Sequence, residues 1–240
     1  MRQQLKLLSL CAVTIALVCV SPAFALNVNK SVKLADGAQS DGASTVNGSI
    51  TIGKDATITG AVETVNGTIR IDEGTRLEDA ETVNGSIRIA SGVTAEDITS
   101  VNGAIRLDEN VTVDGEVSVV NGKITLDKGT SVADDVSNVN GEISVVGAEI
   151  GGDLATVNGN VTLTDNSTLR GNLIVEEPKG WSWGKKRRKP VIIIGPNSTI
   201  AGDIRLEREV ELFISESAEV GGVKGELSMD DAVRFSGARP

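Results

Sequence analysis

The 240-residue chain carries 23 basic and 33 acidic residues, no histidine and no tyrosine, and its formal charge is −10. That balance argues against general nucleic-acid binding through phosphate contacts, and the lack of histidine removes the commonest zinc ligand and general base. With aromatic residues at 2% and 27 glycines, a conventional core built on large rings is excluded as well.

The first predicted element is residues 1–25. Arg2 and Lys6 precede an apolar run from Leu7 to Val20, and Ser21-Pro22-Ala23-Phe24-Ala25 follows, the three-part form of a secretory signal peptide cleaved after Ala25. The apolar run holds fourteen residues, short of the ~20 that a bilayer-spanning helix needs. Cys11 and Cys19 both lie inside it, so the processed chain is expected to hold neither disulfides nor thiolate metal sites. Cys19 follows Ala16-Leu17-Val18, which lacks the residues that normally precede a lipidated cysteine. Processing leaves 21 basic against 33 acidic residues, a charge of −12, on an exported protein of the periplasm or cell surface.

Residues 26–225 are organised by a repeat. Val-Asn-Gly occurs seven times, at Asn47, Asn66, Asn84, Asn102, Asn121, Asn140 and Asn158, with intervals of 18 or 19 residues. A degenerate copy, Val28-Asn29-Lys30, stands one interval earlier. Inside each repeat an apolar residue recurs every six positions, as in Val65, Ile71, Leu77 and Val83. A second inward position precedes many of these by two, as Ile69 precedes Ile71, Ile87 Ile89, Ile105 Leu107 and Ile124 Leu126. Short strands with one buried face produce that alternation, and the density of β-branched residues and glycine opposes helix. Three strands close one coil. The predicted fold is all-β, a single-stranded three-faced β-solenoid of about ten coils of 18–19 residues, with equivalent residues ~4.8 Å apart. The six-residue spacing leaves the handedness of the coil open.

The Val-Asn-Gly corners are expected to serve structure. Asn and Gly tolerate the left-handed conformation of a tight corner, and stacked amides can hydrogen-bond from coil to coil. Asn-x-Ser/Thr triplets such as Asn47-Gly48-Ser49 are by-products of the same repeat. Outward between buried residues, Arg70, Arg88 and Arg106 form a like-charged column that Asp72, Asp108 and Glu109 are placed to offset, giving a solvated, internally paired face in preference to an anion-binding strip.

Where the next corner is due, at Val175, the chain runs through a loop bounded by Pro178 and Pro190. The inserted residues 176–190 hold Trp181, Trp183 and five consecutive basic residues, Lys185, Lys186, Arg187, Arg188 and Lys189, with a net +4 on a body of −16. Tryptophan beside Lys and Arg suits a membrane interface or an acidic polysaccharide, and the alternative is a solvated connection. Beyond it Ile192, Ile194, Ile200, Leu206, Leu212 and Ala218 resume the spacing. Residues 226–240 form a terminal cap or tail.

The stretch Val191–Val223, with Ile194-Gly195, Ser198-x-Ile200-x-Gly202-Asp203-Ile204 and Ala218-x-Val220-x-Gly222, resembles the bactofilins, a polymer-forming cytoskeletal β-helix family; Ser49–Gly53 through Ile58–Gly60 has the same cast. The regular Val-Asn-Gly corners also resemble those of bacterial adhesin-type proteins with β-strand repeats. The bactofilin resemblance implies a right-handed three-faced β-helix that associates end to end and contacts membranes. The signal segment and the inserted loop depart from that family and argue against a cytoplasmic filament.

No catalytic motif, cofactor loop or metal-ligand spacing is visible. The histidine that hexapeptide acyltransferases depend on is missing, and the acids, Asp134-Asp135 for example, fall in predicted turns. The expected function is a non-catalytic structural protein of the bacterial envelope that binds no nucleic acid, self-assembles through its ends and docks its loop on an anionic surface. The alternatives are an adhesin or carbohydrate-binding module and, third, a polysaccharide-active enzyme.

Overall fold

A computed structural model describes residues 28–178 and 188–240. The expected signal segment at residues 1–25, and Trp181, Trp183, Lys185, Lys186 and Arg187 of the basic loop, lie outside the described residues. The chain winds into a β-solenoid of about ten turns. All strand pairs are parallel, as coils of one chain wound in one direction require. One face is an 11-stranded sheet running from Val32–Leu34 to Val233–Phe235. Most of the other two faces belongs to a 15-stranded sheet, joined through the eight-residue strand Thr199–Leu206, which pairs with Thr168–Leu169 at its start and with Leu173–Val175 at its end.

Each coil sends two side chains inward from each face. In one coil these are Ile98 and Ser100, Ile105 and Leu107, and Val111 and Val113, all fully buried. The interior is a stack of Ile, Val, Leu and Ala whose cover comes from the coils above and below, so burial accumulates coil by coil. The resumed positions Ile192, Ile194, Ile200, Leu206 and Leu212 lie in the same core. Among the described residues no helix is long and apolar enough to cross a membrane.

The six-residue series predicted from sequence needs correction on one face. Val65, Val83 and Val101 are only half-buried, and the inward positions are their neighbours Thr64, Thr82 and Ser100. The reason is polar. Thr64 Oγ1 donates to Gly48 O at 3.0 Å, Thr82 Oγ1 to Gly67 O at 3.3 Å and Ser100 Oγ to Gly85 O at 3.2 Å. The strand turns its hydroxyl inward and its valine outward, and the half-buried carbonyl of the preceding corner gains a donor. Val175 follows the same rule: it is inward, in register with Thr156 and Leu206, and not at the corner itself.

Candidate functional site

Seven regular corners and one interrupted corner lie along the same edge of the rod. At the regular corners the side-chain amides form an unbroken ladder. Asn47 Nδ2 donates to Asn29 Oδ1 at 2.9 Å, Asn66 to Asn47 at 2.8 Å, Asn84 to Asn66 at 2.9 Å and Asn102 to Asn84 at 3.0 Å. Asn121, Asn140 and Asn158 each continue it by one rung, at 2.9, 2.9 and 3.0 Å. At the first five corners, Gly48 to Gly122, the glycine N–H donates to the asparagine carbonyl of the next, as Gly85 does to Asn102 at 3.0 Å.

The corner asparagines do not adopt the left-handed conformation expected of them, and of the corner glycines only Gly141 has a positive φ, of 141°. Glycine is needed for a different reason: a Cβ at Gly85 would run into the carbonyl oxygen of Gly67, and the same overlap recurs at Gly67, Gly103 and Gly122. The left-handed residues belong to the next corner of the coil, where Asp55, Gly74, Gly92, Asn110, Gly129, Gly147, Asn166 and Asn197 follow one another along the rod. At the third corner an acidic or amide side chain caps the backbone of the next coil. Asp97 Oδ1 accepts from Glu116 N at 2.7 Å, Asp135 Oδ1 from Asp153 N at 2.8 Å and Asp153 Oδ1 from Asn172 N at 2.7 Å. These corner carboxylates therefore satisfy backbone donors.

At the interrupted corner the described stems of the loop are tied to the corner of the following coil, Glu207–Val210. Glu177 N donates to Glu207 Oε2 at 3.4 Å, and Lys189 Nζ pairs with Glu209 at 2.7 Å. That ion pair holds the Glu209 carboxyl below its usual range, first through its hydrogen bond to Lys189 and then through the lysine charge. Arg208 reaches back across the loop-bearing coil: one Nη donates to Val157 O at 3.0 Å and Asn158 Oδ1 at 2.8 Å, and the other to Arg188 O at 3.3 Å. It thus terminates the asparagine ladder and fixes the exit of the loop. Arg188 and Lys189 are exposed at this exit.

Sequence reasoning missed Arg208. The available signal was Glu207-Arg208-Glu209 standing where the repeat calls for Val-Asn-Gly, but only the fold shows that the loop leaves Arg208 facing Asn158.

The arginine column is in register, Arg70 against Arg88 and Arg88 against Arg106. Arg106 pairs with Asp108 at 2.9 Å and with Asp127. Arg70 and Arg88 have no ion pair among the described residues, so the expected internal pairing holds at one of the three positions. On the face that precedes the Val-Asn-Gly corners, Glu63 and Glu81 are Cα partners. Burial raises both carboxyls above the ordinary range, and neighbouring acids raise them further: Asp79 for Glu63, and Glu63, Asp79 and Asp97 for Glu81. A shallow groove of about 460 Å³ is lined by Thr57, Thr59, Arg76, Glu78, Thr94 and Asp114, among others. No cluster of three or more potential metal ligands occurs among the described residues.

Comparison with protein-family models, with curated proteins and with solved structures found no match.

Proposed function

We propose that the protein is a non-catalytic structural rod of the bacterial envelope, exported by its N-terminal segment, that associates through its coil ends and holds an anionic surface with the basic loop at its interrupted corner. The observation that carries this reading is the continuity of the strand ladder across the insertion. Val161–Leu163 pairs with Ile192–Ile194, and Leu173–Val175 with Ile204–Leu206, although residues 176–190 intervene. A fold that leaves its coils in register while placing a segment of opposite charge at one corner keeps stiffness and contact separate. Arg208, Glu207 and Glu209 anchor the stems from a neighbouring coil, so force applied at the loop passes directly into the stack.

The test replaces Lys185 to Lys189 with glutamine and measures sedimentation with anionic and with neutral lipid vesicles and with purified cell-wall polyanion. The proposal expects unchanged far-ultraviolet circular dichroism, and binding to the anionic surfaces that is lost in the variant. Equal binding by both proteins would remove the docking role.

A second reading, a carbohydrate-binding module, is favoured by the hydroxyl- and carboxylate-lined groove between Thr57 and Asp114. It predicts saturable glycan binding that Arg76→Ala abolishes and that the loop substitutions leave intact.

A further inference from the structure

The central outward column of the 11-stranded face runs against the charge of the chain. Strand register stacks Lys33, Thr51, Arg70, Arg88, Arg106, Thr125, Ser144 and Thr162 one above another. On a chain of 33 acidic and 23 basic residues, these positions hold cations and hydroxyls and no carboxylate. Arg70 and Arg88 are exposed and directly opposite each other, their backbones one strand spacing apart (~4.8 Å). Two residues before each arginine stand Thr68 and Ser86, half-buried, with no partner for either hydroxyl among the described residues.

Like charges opposite each other across a strand pair repel, and the acids nearby are engaged elsewhere. Glu73 pairs with Lys54 at 2.8 Å, and Asp72 lies within electrostatic reach of the same lysine. Asp108 and Asp127 both hold Arg106. Beside Arg88 the position that is Asp72 in the coil before and Asp108 in the coil after is Ala90, the three N–H groups donating in turn to Ile52 O, Ile71 O and Ile89 O. Neither Arg70 nor Arg88 has an ion pair or a side-chain hydrogen bond among the described residues. The fold thus brings two guanidinium groups together and supplies no counter-charge to them.

We propose that Arg70 and Arg88, with the hydroxyls of Thr68 and Ser86, bind the anionic groups of an acidic polysaccharide chain that lies along the rod, past Arg106 and over the hydroxyls of Thr125, Ser144 and Thr162. The site belongs to the body of the rod and is separate from the basic loop. Ile193, the first outward position of this face after the loop, lies five strand spacings from Arg88, roughly 24 Å. Two guanidinium forks side by side take the paired oxygens of carboxylates or sulfates, and Thr and Ser hydroxyls both donate to and accept from the hydroxyls of a sugar. The column is one residue wide and several coils long, the shape of a single extended polymer. A planar lipid surface would also meet Asp72, Glu73, Asp108 and Glu109, whose charge repels it. A nucleic-acid strand would find no ring for its bases to stack on, since no aromatic residue stands between Lys33 and Thr162 in the column.

The test titrates the whole protein with an oligogalacturonate, and with its methyl ester as the uncharged control, by calorimetry. Binding of the acid form alone is expected, and it should weaken as salt rises. Replacing Arg70 and Arg88 together with glutamine should raise Kd about tenfold or more. Arg205→Gln, an exposed arginine on another face, should leave it unchanged. Without ligand the double variant should melt at the parent temperature or above it, because a like-charge contact is gone; a lower melting temperature would assign the arginines to the fold and not to a ligand. The titration is repeated with Lys185 to Lys189 replaced by glutamine, where the arginine-dependent binding should persist, so a failed strip and a failed docking loop are told apart. No binding, equal binding of acid and ester, or an affinity unmoved by the arginine substitutions would each overturn the proposal. Arginine-dependent binding of single-stranded DNA or of anionic vesicles in place of the oligosaccharide would overturn it as well.

Discussion

Regular and interrupted corners occupy the same edge of one solenoid, yet different groups hold them. At the corners of Asn47, Asn66 and Asn84 four contacts combine: an amide rung, a glycine N–H to the next coil, an inward hydroxyl on the glycine carbonyl, and close stacking of backbone on backbone. Among the described residues of the interrupted corner none of these recurs, and one arginine and two glutamates of a neighbouring coil secure the stems. The strands on either side stay in register in both cases. The corners therefore align and stiffen the coils, while the stacked aliphatic rows hold the fold together, and one corner can be given over to another task.

The contrast is broken most severely by Gly85→Ala. Its new methyl group collides with backbone, not with a flexible side chain, and a destabilisation of about 3 kcal/mol or more by chemical denaturation is expected. An effect below ~1 kcal/mol would mean that the coils are spaced more loosely than described. Thr64→Val comes next. It leaves the Gly48 carbonyl without its hydroxyl donor and should cost about 1–3 kcal/mol, although the new residue is more apolar and of the same shape. Stabilisation by this substitution would restore the register read from hydrophobicity.

That register shows where the sequence was legible and where it was not. The fold, the corner period and the amide ladder could all be read from one recurring tripeptide, because stacking identical corners demands identical residues. The inward face before the corners of Asn66, Asn84 and Asn102 was misread because Val65 is more hydrophobic than Thr64, and no pattern of apolar residues reveals a carbonyl in need of a donor. The left-handed corner escaped notice for the opposite reason: Asp55, Gly74, Asn110 and Gly129 share a backbone conformation and no common side chain. The contacts of Arg208, and the lack of an ion pair at Arg70 and Arg88 among the described residues, depend on which coils are neighbours in space.

Smaller effects sharpen the comparison. Asn102→Ala removes two rungs, one donated and one accepted, and is expected to cost about 1–2 kcal/mol. Arg208→Ala should cost under about 1 kcal/mol, since its partners at the edge can turn to water. An arginine effect equal to the asparagine effect would mean that the two kinds of corner carry the same share of stability. The smallest effect concerns pH. Glu63 and Glu81 bind protons more tightly folded than unfolded, so their penalty is present above the raised folded value and disappears as pH falls through it toward the ordinary 4.5. Glu81→Gln should therefore be more stable than the parent at neutral pH, with the advantage shrinking on acidification. A constant difference across that range would assign the effect to something other than titration.

Amide hydrogen exchange across the insertion tests the rod most directly. The N–H of Gly195 donates to Leu163 O and that of Glu207 to Val175 O, each over the intervening loop, as Asp108 donates to Ile89 O in the regular part. Continuous stacking predicts that Gly195 and Glu207 exchange as slowly as Asp108. Exchange at the rate of open chain from Pro190 onward would show that the coils end at the loop and that the rod, as described, does not exist.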